Sequence, residues 1–423
     1  MREKFERIWK IKEIRNSILF ILGMLLIFRV AAHIPVPGVN VQNLQKYLEG
    51  NQILGLLNVF SGGTLQNFSI VMLGVAPYIT ASIIFQLLQL VVPSLEEMSK
   101  EGESGRQKIQ MYTRIASVPL AFLQAFSLIQ LLRNSQLDIL PNLTTLSFIT
   151  IMLTVTAGTI FLMWIGELIT EKKMGNGISL LIFAGIIAGL PGGIQRVLLN
   201  YNASDLYIYL LFLVIIVVTI VGVVIISEGQ RNIPVQYAKQ AIGSRRFSGA
   251  NSTLPLRLNM AGVIPIIFAV SLVLFPSIIG QVFVNHAGVI GKIARGTVSL
   301  FQNQLFYGVV YFILVFGFTY FYTAVVFQPQ KIAENLQHQG GYIPGIRPGK
   351  ETESYLGKIM SRLIFTGALF LGVLAILPLI LRAATGMQSL AIGGTSLLIV
   401  VSVAIETAKQ IDAQLTVHEY DHV

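Results

Sequence analysis

Apolar residues along this chain fall in long unbroken runs rather than in stripes. The run "LYIYLLFLVIIVVTIVGVVII", 206–226, carries no charge at all. A helix needs about 20 apolar residues to cross a bilayer core of roughly 30 Å. Runs of that kind predict ten spans, at about 17–34, 68–92, 111–132, 146–168, 177–194, 206–227, 255–283, 305–328, 360–381 and 388–408. The pattern therefore predicts an all-α integral membrane protein. Two polar stretches are long, about 228–254 and 329–357, and both are rich in turn residues and basic side chains.

One span breaks the pattern. "FSGGTLQNFSIVMLGVAPYITASIIFQLLQLVVP", Phe60 to Pro93, opens with Ser61, Gly62, Gly63, Gln66 and Asn67 and carries Gly74 and Pro77 in its middle. The glycines permit a tight start, and proline removes a backbone bond and clashes with the preceding turn. Two readings stand. One is an ordinary kinked helix. The other is a short half-helix over Thr64 to Leu73 that re-enters without crossing, followed by a span from Tyr78. Irregular polar backbone survives at membrane depth only when buried in protein or lining a cavity.

Composition sharpens the class. Of 423 residues 54% are hydrophobic and 12% charged, about half the charge of a soluble domain. The basic start is followed by a long span with no small-residue cleavage site, so no secretory signal is expected. Cysteine is absent, which removes thiolate metal sites and disulfides from consideration. The net charge of +10 first reports topology. With ten spans, all but seven of the 30 Lys and Arg fall on the side of the termini; the seven are Arg29, Lys46, Arg133, Arg196, Lys292, Arg295 and Arg382. Positive loops mark the cytoplasm, so both termini are expected there. The two long basic loops serve either as topogenic signals alone or as a docking surface for an acidic or RNA-rich partner drawn by the positive field.

Catalytic chemistry is hard to find. Charged groups inside spans are expensive and kept mainly for function, yet here Glu167 and Glu406 sit near the cytoplasmic ends of spans, and Arg29 and Arg382 near the outer ends, where snorkelling suffices. His33, His286, His338, His418 and His422 lie outside the span centres with no ligand spacing, and no Gly-rich phosphate cradle is present. An intramembrane protease, a proton-coupled transporter and an ATPase are all disfavoured, and no cofactor or metal is expected. Broken helices also suit a small-solute transporter, but the missing coupling charge weighs against one. Two aliphatic pairs at i,i+4 spacing, Val75 with Ile79 and Ile182 with Ile186, each share one helix face. They are either ordinary packing or a hydrophobic constriction that excludes water.

Several long motifs in order resemble the SecY family, the central subunit of the protein-conducting channel. They are the Phe60–Gln89 stretch, "EEMSKEGESGRQKIQMYTR", "MWIGELITEKKMGNGISLLIFAGIIAGLP", "IPVQYAKQ" with "LPLRLNMAGVIPIIFA", "FYTAVVFQPQKIAENLQHQGGYIPGIRPG" and "GGTSLLIVVSVAIET". The resemblance implies an hourglass of two inverted five-helix halves, 17–200 and 201–408, between a cytoplasmic N-terminus at 1–16 and a tail at 409–423. It implies a pore ring at Val75, Ile79, Ile182, Ile186, Ile267 and Ile399. It implies a plug at about 60–73, including Gly62, Gly63, Thr64, Leu65, Gln66, Asn67 and Phe68. A polar cluster at a lateral gate falls on Gln86, Gln124 and Asn259, which are expected to bond to each other. Partner-binding loops carry Arg231, Lys239, Arg245, Arg246, Arg347 and Lys350. The implied partners are SecE and SecG as small membrane subunits, the SecA motor ATPase, the ribosome, signal peptides with nascent secretory or membrane chains, and the lipid bilayer.

Overall fold

The computed structural model describes residues 8–421 except 51–53, 56, 59–60, 134, 136, 138, 142–143, 200–205, 238–240, 243–244, 247–250, 285, 287 and 386–392. Phe60 and Lys239 thus lie outside the described residues, as does the start of the tenth predicted span.

Helices dominate, as unbroken apolar runs require. In chain order they are α1 (Lys12–Ala31), α2 (Val41–Gly50), α3 (Ala76–Val91), α4 (Pro93–Lys100), α5 (Glu103–Arg133), α6 (Thr145–Glu171), α7 (Gly177–Leu199) and α8 (Leu206–Glu228). They continue with α9 (Ile264–Phe283), α10 (Val289–Gln302), α11 (Gln304–Val326), α12 (Pro329–His338), α13 (Lys350–Thr385) and α14 (Gly393–Asp421). Among the described residues seven helices are long and apolar enough to cross a membrane: α1, α5, α6, α8, α9, α11 and α13. The pair α3 and α4, bent by 100° at Val92, makes an eighth if it counts as one span. The remaining two predicted spans are helical, but the apolar part of α7 is short, Gly177–Gly192, and α14 turns polar from Glu406 onward. Helix α8 shows why the class was legible. Leu210, Leu213, Val214, Val217, Val218 and Ile225 are all more than half exposed, which suits lipid and not water.

The structure is not wholly helical. The first long loop folds as a ribbon. Strand β1 (Gln230–Tyr237) pairs antiparallel with β4 (Asn251–Arg257), and between them lies a short hairpin of β2 (Ala241–Ile242) and β3 (Arg245–Arg246). Strand β5 (Gly341–Tyr342), from the second long loop, adds to the other edge of β1. The seventh predicted span therefore starts late, at Ile264 rather than 255, because Asn251–Arg257 is committed to β4.

Packing is organised around one large buried cluster that takes in α1, α3, α5, α6, α7, α9, α11, α13 and α14. Helix α9 lies against both α3 and α5, while α11 packs on α9 and α13. A second, smaller cluster lies under the ribbon, where Ile233, Val235 and Leu256 meet Phe327, Leu336, Ile343 and Leu356. The two long loops thus share one core.

Candidate functional site

The broken stretch after Ser61 closes on itself. Gly62, Gly63 and Gly74 have φ of 77°, 76° and 60°, left-handed values that glycine adopts without strain. A Cβ on Gly74 would sit 2.8 Å from the Ser61 Cα, so the two ends of the segment touch, as in a compact Ω-loop. Thr64 Oγ1 donates to the carbonyls of Ser61 (2.9 Å) and Met72 (3.3 Å) across the loop. Leu65, Phe68, Val71 and Met72 are fully buried. Phe68 itself is left-handed, at φ 45°, a strain that persists only when surroundings over-determine it. The predicted half-helix over Thr64 to Leu73 does not form. Positive φ at Phe68 and bonds of the i→i−3 kind, Phe68 to Leu65 and Met72 to Ser69, make a chain of turns instead.

This loop is pinned from three sides. The segment after α1 binds it in extended fashion: Val36 N–H donates to Phe68 O (2.9 Å) and Ile70 N–H to Ile34 O (3.1 Å), with a bridge between Pro35 and Ser69. Asn67 Nδ2 donates to Ala32 O (3.4 Å), and the Gln66 amide donates to Asn58 Oδ1 (3.0 Å). Arg29, read from sequence as a snorkelling end residue, donates from Nη1 to Gly62 O (3.1 Å). Two helices approach backbone to backbone. A Cβ on Gly158 of α6 would collide with Ile70 O, and one on Gly185 of α7 with the Gly62 Cα. Sequence reasoning missed Arg29, Gly158 and Gly185. Their only signal was a basic or small residue within an otherwise bulky aliphatic run.

The six aliphatics that the resemblance assigns to a pore ring are buried in the same cluster as the loop. Val75 caps the start of α3 and Ile79 follows one turn on, its N–H bonded to Val75 O (3.1 Å). Ile182 and Ile186 come from α7, Ile267 from the first turn of α9 and Ile399 from α14. All six are buried, with exposures of 0–7%, and they share the main cluster with Leu65, Phe68, Met72 and Leu73. Among the described residues no group of His, Cys, Asp or Glu is placed to hold a metal. Such a set offers no charge and no hydrogen bond. It can seal by excluding water and can conform to varied shapes.

The polar trio is arranged differently from expectation. Gln86, Gln124 and Asn259 do not bond to one another. Gln86 Nε2 donates to Ser82 Oγ within α3 (3.1 Å), Gln124 Nε2 reaches from α5 to Thr80 Oγ1 of α3 (3.4 Å), and Asn259 Nδ2 holds Gly262 O in the turn before α9 (3.1 Å). Two of them bond within their own helix or turn, and Gln124 bonds across to the neighbouring helix. Gln124 ties α5 to α3, which stand together on one side of α9. It also lines a cavity of about 30 Å³ with Ser127, Ser277, Gln281 and Gln302. Asn259 Oδ1 and Ser277 Oγ are buried and make no bond to the described residues.

At the loop end of the molecule, Arg231 stands exposed on β1, and Arg347 is 85% exposed, 4.0 Å from Glu351. Lys350 is exposed at the start of α13. Arg245 and Arg246 form β3; their side chains lie outside the described residues. Tyr342 Oη donates to Gln236 Oε1 (3.0 Å), joining the second loop to the ribbon.

The sequence model of the SecY family matches residues 69–408. The chain belongs to the SecY family. The protein translocase subunit SecY of Halalkalibacterium halodurans is 44% identical to it, covering 99% of both chains. That of Mycobacterium tuberculosis is 42% identical over 97% of this chain and 96% of its own. The family model begins inside the pinned loop, and these SecY relatives cover its earlier part as well. Solved structures share the fold. A protein-conducting channel superposes with a TM-score of 0.63 at 18% identity, covering 93% of this chain and 90% of that one. A SecY structure concerned with its plug domain gives 0.62 at 19%, with the same coverage. Sec61 in a canine ribosome–channel complex gives 0.61 at 17%, again over 93% and 90%. Membership of this family, with the apolar helices above, makes the chain a multi-pass membrane protein.

Proposed function

We propose that this chain is a gated, non-enzymatic channel for unfolded polypeptides in the cytoplasmic membrane. Secretory chains pass through it, and apolar segments leave sideways into lipid. The observation that carries this reading is the burial of six aliphatics from four helices in the same apolar cluster as a pinned loop, none of them charged. The ring would act as a gasket that grips no passing chain by charge. The Ser61–Leu73 loop would be the plug that blocks the resting pore.

Ten spans are proposed, with α7 and α14 crossing as the fifth and tenth and both termini in the cytoplasm. The halves 17–200 and 201–408 would meet at a lateral gate, α3 and α5 facing α9 and α11. A signal peptide would open the gate by offering apolar contacts where α5 and α9 now touch. Energy would come from a partner, either the SecA motor or the ribosome, docking on the basic ribbon and the Arg347 loop. SecE and SecG are the small membrane subunits expected beside the chain. In support, ribosome-bound channels stand among the structures of this fold.

The test is photocrosslinking from a probe at Ile186 while a stalled secretory chain crosses reconstituted vesicles. Adducts to successive positions of that chain are expected. Transport with no adduct would make the Ile182 and Ile186 face ordinary packing and overturn the ring.

A further inference from the structure

We propose that α10 is a membrane-interface helix, seated in the outer leaflet beside the gate, whose basic flank binds anionic lipid headgroups. The proposal rests on the ten-span topology, which puts the end of α9 and the start of α11 at the outer surface.

The fourteen residues of α10, "VIGKIARGTVSLFQ", sort into three faces at 3.6 residues per turn. The first faces protein: Gly291 and Ala294 are buried, while Val298 and Gln302 line the gate cavity with Ser277 and Gln281. A Cβ on Gly280 of α9 would lie 2.9 Å from Val298 Cγ2, so the helices touch closely there. The second face carries Val289, Ile290, Ile293 and Leu300, which are 72%, 60%, 65% and 53% exposed. The third, between the other two, carries Lys292, Arg295 and Ser299, all exposed. Arg295 Nη1 donates to Val284 O (3.0 Å), which holds that flank against the end of α9.

A helix in water turns its charged face outward. This one turns an apolar face outward and keeps its charges to one side, as a helix lying in the plane of an interface does. The exposed apolar surface continues onto Leu305, Val309 and Ile313 of α11, which are 77%, 50% and 60% exposed. Only Asn303 separates α10 from α11, and its Oδ1 accepts from Leu305 N–H (3.0 Å) and Phe306 N–H (3.3 Å). That cap fixes α10 to the span, so the two apolar faces meet the same medium. Lipid is the occupant that fits an apolar face continuous with a span and bordered by cations. Gate cavity and lipid then lie on two faces of one helix.

The chain contains no cysteine, so single labels are clean. In the full channel complex in vesicles, Ile293→Cys and Ser299→Cys each carry an environment-sensitive fluorophore, and nitroxide lipids are confined to one leaflet. The Ile293→Cys label is expected to emit blue-shifted and to be quenched from the outer leaflet, while the Ser299→Cys label stays wet. Quenching by anionic nitroxide lipid is expected to exceed that by zwitterionic nitroxide lipid. Lys292→Gln should cut the anionic preference roughly fivefold. A wet Ile293→Cys label overturns the seating and leaves the topology standing. A blue-shifted label that no lipid quenches means a protein partner covers the face, and also overturns it. Quenching only from the cytoplasmic leaflet overturns the topology and with it the outer-leaflet assignment. Equal quenching by both lipids overturns the headgroup role.

Discussion

At Gly185 one hydrogen atom decides how close α7 can come to the loop. A Cβ there would collide with the Gly62 Cα, and overpacking of this kind costs about 1–3 kcal/mol. Gly185→Val should therefore displace the proposed plug while leaving the bundle assembled. Ion leak through reconstituted vesicles should rise roughly five- to 150-fold, as that energy implies. Ile187→Ala, on the 40% exposed side of the same helix, should leave the leak at its starting level. A tight Gly185→Val channel would mean that the loop does not seal. Asn259 sets a second balance. Its Oδ1 is buried and unbonded among the described residues while Nδ2 holds Gly262 O, and an unsatisfied buried acceptor costs about 1–3 kcal/mol. Asn259→Leu removes that cost in the closed state, at the loss of one ordinary hydrogen bond. The closed gate should become the more stable, and signal peptides should need greater hydrophobicity to be transported. A titration with signals of graded leucine content measures this, and an unchanged threshold would end the gate role of Asn259.

Elements show where the sequence was legible and where it was not. Span existence was readable because membrane burial demands long apolar runs, and α8 or α11 admits no other reading. The proposed plug was readable only as a break. Its turns depend on contacts with Ile34–Val36 and with glycines of α6 and α7, which are distant in sequence. The ribbon was read as loop because its alternation is short and interrupted by Pro234 and Pro255. In hindsight Ile233 and Val235, buried between exposed neighbours, were the signal. The bonding of the polar trio was not legible because the sequence does not show that Ser82, Thr80 and Gly262 stand within bonding reach of Gln86, Gln124 and Asn259. The ribbon also separates two kinds of substitution. Arg347 is 85% exposed, beyond normal bonding distance of Glu351. Arg347→Glu should abolish motor- or ribosome-driven transport, with the complex still folded by size-exclusion and protease resistance. Ile343→Asp, at a 2% exposed position in the shared loop core, should instead open the ribbon to protease, since an uncompensated buried charge costs about 3–5 kcal/mol. Normal transport by Arg347→Glu would reduce Arg347 to a topology signal.

For the whole molecule the question is whether α5 and α9 must part. Everything proposed for lateral release requires that they do, yet in this conformation they are packed together and share one small cavity lined by Gln124 and Ser277. Among the described residues its polar lining bonds little across the seam. Gln124 turns to Thr80 on its own side, and Ser277 Oγ makes none within the described residues. A seam with so little polar adhesion is held chiefly by apolar packing, the kind of contact that an inserting apolar segment can replace without net loss. The cysteine-free background allows a direct test with Gln124→Cys and Ser277→Cys in one chain, joined by a short bis-maleimide linker carrying a cleavable disulfide. Joining should stop both transport and the lateral release of an apolar segment, and reductant should restore them. Each single variant treated with the linker should transport normally. A linker long enough to span a polypeptide should restore transport without cleavage. If the short-linked channel still released apolar segments into lipid, the exit would lie elsewhere on the bundle, and the α5–α9 seam would be a static contact.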